Sequence, residues 1–91
     1  MDIFWVLVLQ EPSKKYIVTL ASGIMEMLRK EPADNRLLYL RMFTSMQDAI
    51  GHKLFLQGLL SSSLVATIRT INPKLRDIRP AIELFYDKET K

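Results

Sequence analysis

Apolar residues recur at three- and four-residue spacing along most of this chain, and X-Pro steps at Glu11-Pro12, Glu31-Pro32 and Asn72-Pro73 interrupt the pattern. Proline lacks an N–H and disfavours helical backbone in the residue before it, so each step is expected to end one helix and open the next. Over residues 13–30, Ile17, Leu20, Ala21, Ile24 and Leu28 share one face of a helix. Ser13 is its expected N-cap, and Arg29 and Lys30 complement the negative end of its dipole. A second helix is expected over roughly 34–50, capped by Asp34 or Asn35. Tyr39, Met42, Phe43, Met46 and Ile50 repeat along it, and Gly51 supplies a stop.

A third helix, about 53–71, carries Leu56, Leu60, Leu64, Ile68 and Ile71 and no charge between Lys53 and Arg69. It is expected to be the central helix, covered over much of its circumference. Asn72 and Pro73 read as an N-cap and first helical residue. Pro80 would break a helix interior, so a short turn at 73–79 followed by a helix over 80–87 is expected, with 88–91 a frayed tail. The opening apolar run, residues 3–9, fits a short buried helix capped by Asp2 or a buried strand pairing with residues 16–20. The helix is preferred because the neighbouring proline-bounded units are patterned as helices.

The reading is therefore all-α: a single domain over 1–91 of four to five short helices, stacked as two α-hairpins or as a small bundle. Residues 1–12 form its apolar N-terminal segment. The segments beginning QEPSKKY, KEPADNR and INPKLRD share an acid or amide, a proline, a polar stretch and an apolar-periodic run. They resemble HEAT and armadillo repeats, helix pairs with a period of about 40 to 47 residues. Arg36 and Arg76 or Arg79 could stand where those repeats often place an arginine, whereas the first segment has Lys15 there. The resemblance implies an α-solenoid fragment that binds other proteins.

Composition sharpens this picture. The chain is 48% hydrophobic and 25% charged, the balance of a folded domain. It has no cysteine, which excludes disulfides, thiolate metal sites and cysteine nucleophiles and fits a reducing, intracellular and cytoplasmic setting. Asp2 stands where a secretion signal needs positive charge, and the longer uncharged stretch, 54–68, contains Gln57 and three serines, Ser61, Ser62 and Ser63. Membrane insertion is not expected.

No catalytic or cofactor motif stands out. His52, the only histidine, follows Gly51 and reads as an exposed loop residue without metal-ligand or triad partners. Ser61, Ser62 and Ser63 lack a nucleophile-elbow frame, and the glycines form no phosphate-cradling loop. The expectation is no enzyme, no metal and no cofactor.

Two surfaces remain. Phe4, Trp5, Val6 and Leu7 form a candidate protein interface, because a terminal segment apolar on every side must be covered by something. Arg69, Lys74, Arg76 and Arg79 form a candidate basic patch in a chain of net charge +3, with no acid from Ala49 through Arg76. The expected function is a non-enzymatic protein-interaction module or assembly subunit, its partner another protein or a second copy. The alternative is a small basic nucleic-acid-binding protein using the patch.

Overall fold

A computed structural model describes the backbone of residues 2–89 and the side-chain surroundings of residues 2–85. The chain forms strands β1 (Phe4–Gln10) and β2 (Tyr16–Ala21), helix α1 (Ile24–Lys30), strand β3 (Arg36–Phe43), and helices α2 (Met46–Gln57), α3 (Ser61–Arg69) and α4 (Arg79–Glu89). The strands make one antiparallel sheet in the order β2-β1-β3. The fold is thus mixed α/β rather than all-α, and the likeness to HEAT and armadillo repeats does not survive it. Two of the segments read as helices open with strands instead.

β1 explains the sheet. It is the middle strand, and alternate residues serve two cores. Val6 and Val8 join Leu38, Tyr39, Ala49, Leu56, Leu64 and Ile68 on the face covered by α2 and α3. Leu7 and Leu9 join Ile24, Leu28 and Leu37 on the face carrying α1, with Ile78 and Ile82 packed against them. A strand buried on both faces reads as a continuous apolar run, which is why period-two alternation is missing from residues 3–9. The strand reading of this segment, with pairing to 16–20, is the one the structure adopts.

The prolines mark boundaries, but they are turns rather than joints between rods. In the β1–β2 hairpin, Lys14 N–H donates to Glu11 C=O at 2.8 Å and Glu11 N–H donates to Lys15 C=O at 2.9 Å. Pro12 takes the second turn position, where its fixed φ fits, and Lys14 adopts φ 74°. The same device recurs at Asn72-Pro73. Leu75 N–H donates to Asn72 C=O at 3.0 Å and Leu75 adopts φ 50°. Asn72 and Pro73 therefore do not start a helix. After α1, Asn35 N–H donates to Pro32 C=O at 3.0 Å before β3 begins.

β3 contains a bulge. Pairing passes from Val8↔Tyr39 to Leu9↔Leu37, so Leu38 is an extra residue. Leu38 and Tyr39 consequently both belong to the α2/α3 core, while Leu37 and Leu40 belong to the other face. A strap formed by residues 72–78 seals the outer edge of β3 at this point. Asn72, only 8% exposed, donates from Nδ2 to Leu38 C=O at 2.9 Å and to Arg76 C=O at 2.8 Å, and its Oδ1 accepts from Arg76 N–H at 3.0 Å. Asp77 Oδ1 accepts from Leu37 N–H at 2.9 Å and from Arg79 N–H at 3.0 Å, while Ile78 N–H donates to Leu37 C=O at 2.8 Å. The irregular edge thus has its polar groups satisfied by two side chains and one backbone bond.

Between α2 and α3 the chain breaks at residues 58–60, so the expected helix over 53–71 is the second half of α2 followed by α3. Gly51, expected as a stop, lies in the interior of α2. Pro80 stands in the first turn of α4, where its missing N–H does no harm. That helix runs to Glu89, beyond the expected end at 87. Of the expected frayed tail, residues 90 and 91 lie outside the described residues.

Two substitutions test these turns. Lys14→Gly should raise stability by about 0.5–1 kcal/mol, because glycine carries no left-handed penalty. Asn72→Ala should cost about 2–3 kcal/mol by stranding the Leu38 carbonyl and the Arg76 amide. Urea midpoints read both; a neutral Asn72→Ala would contradict the strap's role.

Candidate functional site

The bulge in β3 has a chemical consequence, because it turns Tyr39 toward α2. The ring is 4% exposed, and its hydroxyl lies 2.8 Å from Nε2 of His52. His52 is therefore not an exposed loop residue. It sits on α2, stacked with Tyr39 at 5.9 Å between ring centroids, tilted against Phe43 at 5.3 Å and stacked with Phe55 at 6.1 Å. Arg41, next along β3 on that face, lies over the Phe43 ring at 5.1 Å. Tyr39, Leu40, Arg41, His52, Phe55, Thr67, Thr70 and Ile71 line a cleft of about 450 Å³.

Burial lowers the His52 pKa below 6.5, and the Arg41 charge lowers it further. The ring is accordingly neutral at physiological pH. With the proton on Nδ1, the Tyr39 hydroxyl donates to Nε2. The cleft offers apolar walls, hydroxyls and one guanidinium, and no carboxylate lines it. Among the described residues no group of three or more His, Cys, Asp or Glu could hold a metal ion. A second hollow, of about 520 Å³, lies between the β1–β2 turn and the α2–α3 junction. Lys14, Lys15, Tyr16, Gln57 and Ser61 are among its walls, again without an acid or imidazole.

α2 supplies the other distinctive surface. Its inner side buries Ala49 and Leu56 against the sheet, and the helix touches all three strands. Its outer side carries exposed apolar residues among exposed Gln47, Asp48 and Gln57: Met46 is 51% exposed, Ile50 41%, Leu54 60% and Phe55 56%. Phe55 joins this face to the cleft, where Ile71 is 56% exposed on the far wall, and Leu60 follows the helix at 78%.

The residues singled out in the sequence are divided by the fold. Val6 and Leu7 are fully buried under the chain's own helices, and Phe4 and Trp5 pack against the two cores. The covering that the N-terminal segment requires comes from within the molecule. Of the basic patch, Arg69, Lys74 and Arg76 are exposed, and Lys74 and Arg76 line a shallow hollow with Asn72 and Pro73. Arg79 is occupied. Its Nη1 donates to Pro32 C=O at 2.9 Å, its Nη2 donates to the carbonyls of Leu28 and Glu31, and its Nε pairs with Glu83 at 3.0 Å. It caps the C-terminal end of α1, where a cation suits the helix dipole.

Sequence reasoning missed the His52–Tyr39 pair and the outer face of α2. The four exposed apolar residues of α2 were visible, but Met46 and Ile50 were read into the apolar repeat of one helix, and Leu54 and Phe55 fell in the next without being placed on its apolar side. No family model, curated protein or solved structure matches this chain. Among the described residues no helix is long and apolar enough to cross a membrane.

The lowered His52 pKa fixes a pH dependence. As pH falls through 6.5, unfolded histidine takes up a proton that the folded ring still refuses, so the unfolded state binds more protons and stability falls. Below the folded value this loss levels off. Urea midpoints measured between pH 7.5 and 5 should therefore drop more steeply for the wild type than for His52→Phe; parallel slopes would contradict the burial of the ring.

Proposed function

We propose that this protein is a non-enzymatic interaction module or assembly subunit that binds protein through the outer face of α2 and the adjoining cleft. The supporting observation is that α2 exposes four large apolar side chains on the side away from the core. A helix whose inner side already completes the core does not require Met46, Ile50, Leu54 and Phe55 on its other side for folding. A cluster of exposed large apolar side chains on one element marks interaction sites in soluble domains. The cleft beside it adds Arg41, Thr67 and Thr70 as polar contacts around an aromatic wall, the usual mixture of an interface with an apolar centre and a polar rim. The absence of cysteine suits work in the cytoplasm.

Nucleic-acid binding through Arg69, Lys74 and Arg76 is the alternative, weakened by the engagement of Arg79 within the fold. Salt separates the two readings. Phosphate contacts weaken steeply with added salt, whereas apolar protein contacts do not.

Leu54→Glu tests the reading. The side chain is 60% exposed, so the variant should keep its stability within about 0.5 kcal/mol. Proteins retained from native extract by the wild type at high salt should be lost by Leu54→Glu and kept by Lys74→Glu. Retention by Leu54→Glu would refute the α2 surface, and salt-sensitive duplex binding abolished by Lys74→Glu would favour the alternative.

A further inference from the structure

The outward ridge of α2 alternates large and absent side chains. Gln47, Gly51, Leu54 and Gly58 follow one another at four-, three- and four-residue spacing, which places them on a single stripe, and all four are exposed. Ile50 flanks the stripe on one side and Phe55 on the other. None of these six residues is charged.

Gly51 has no purpose inside the monomer. It lies in the interior of a helix, where glycine weakens the helix, and a Cβ built on it would meet nothing within 4 Å. Gly58, at φ −82°, does not use glycine's left-handed freedom either, and a Cβ there would make only ordinary contacts at 3.5 and 3.6 Å. Both positions would accept a side chain.

Resting on the reading of α2 as a protein-binding face, we propose that its occupant is a second copy of this chain, paired through an antiparallel α2–α2 contact. The order large, glycine, large, glycine becomes glycine, large, glycine, large when the helix is reversed. An antiparallel pair therefore sets Leu54 over the partner's Gly51 and Gln47 over the partner's Gly58, and each contact occurs twice by the two-fold symmetry. Ile50 then lies on the same side of the seam as the partner's Ile50, and Phe55 on the same side as the partner's Phe55. A parallel pair in register would instead oppose Leu54 to Leu54 and glycine to glycine, leaving gaps at the glycines.

The open apolar area is on the order of 400–500 Å² per copy, so the pair buries roughly 900 Å², the range of weak and reversible complexes rather than permanent ones. Charge acts in the same direction. Each copy carries +3, so the uncharged stripe must hold two like-charged bodies together, and added salt should strengthen the dimer by screening their repulsion.

The cysteine-free chain allows a direct test. Protein carrying Gln47→Cys is mixed with protein carrying Gly58→Cys at high concentration and oxidised. The antiparallel pair yields the mixed disulfide dimer in large excess over either homodimer. Predominant Gln47→Cys homodimer, as a parallel pair gives, would overturn the proposal, as would no cross-link above the level seen in denaturant.

Sedimentation supplies a second readout. Gly51→Leu should weaken the wild-type dimer at least tenfold by filling the seat of the partner's Leu54, while its melting temperature stays level or rises. Undiminished association of Gly51→Leu, or a wild type that remains monomeric at millimolar concentration, would refute self-pairing. Loss of partners from Leu54→Glu in native extract would still stand for the α2 face, so the two conclusions fail separately.

Discussion

The architecture depends on burying β1 on both of its faces. Val6, Leu7, Val8 and Leu9 are all at 0% exposure, and each full burial of such a side chain contributes about 1.5–3 kcal/mol. In a chain of 91 residues that demand governs almost everything else. β2 and β3 must flank the strand to satisfy its backbone, and helices must cover both sides of the resulting sheet. α2 and α3 close one side, with α1 and α4 at the other. Arg79 then ties α4 to the end of α1 through the carbonyls of Leu28, Glu31 and Pro32. What the core does not need stands out against this economy, and the outer face of α2 is the clearest surplus.

The turns at the X-Pro steps were legible in the sequence; the boundaries at 22–23, 44–45 and 58–60 and several element types were not. All three X-Pro steps fall in turns, but proline's fixed φ suits the second position of a β-turn as well as the first turn of a helix. Periodicity misled for a specific reason. The extra residue at Leu38 shifts β3 out of period two, so Leu37 and Leu40, three apart, share one face. Tyr39 and Phe43, four apart, share the other, a spacing that strand and helix have in common. In the segment 13–30, Ile17 and Ala21 from β2 and Ile24 and Leu28 from α1 serve the same core, which imitates one continuous helical stripe. The helices after residue 45 were partly readable because no bulge interrupts them, although Gly51 and the break at 58–60 were exchanged as stop and interior.

The candidate site was less legible than the fold. His52 carries no sequence motif, and its setting arises from a tyrosine thirteen positions earlier on another element. Only the register of β3 against β1 brings the two together. Phe4, Trp5, Val6 and Leu7 drew notice as an apolar run requiring cover, and that physical reasoning holds, but the cover is intramolecular. Arg79 illustrates the converse. A surface-looking arginine beside Lys74 and Arg76 becomes a helix cap once α1 and α4 are adjacent.

Amide hydrogen exchange measured residue by residue tests the central role of β1 most directly. The amides of Val6, Leu7, Val8 and Leu9 should exchange only by global unfolding and match or exceed every helical amide in protection. Exchange of these four faster than the amides of α2, or helical chemical shifts across them, would contradict a core organised around a doubly covered middle strand.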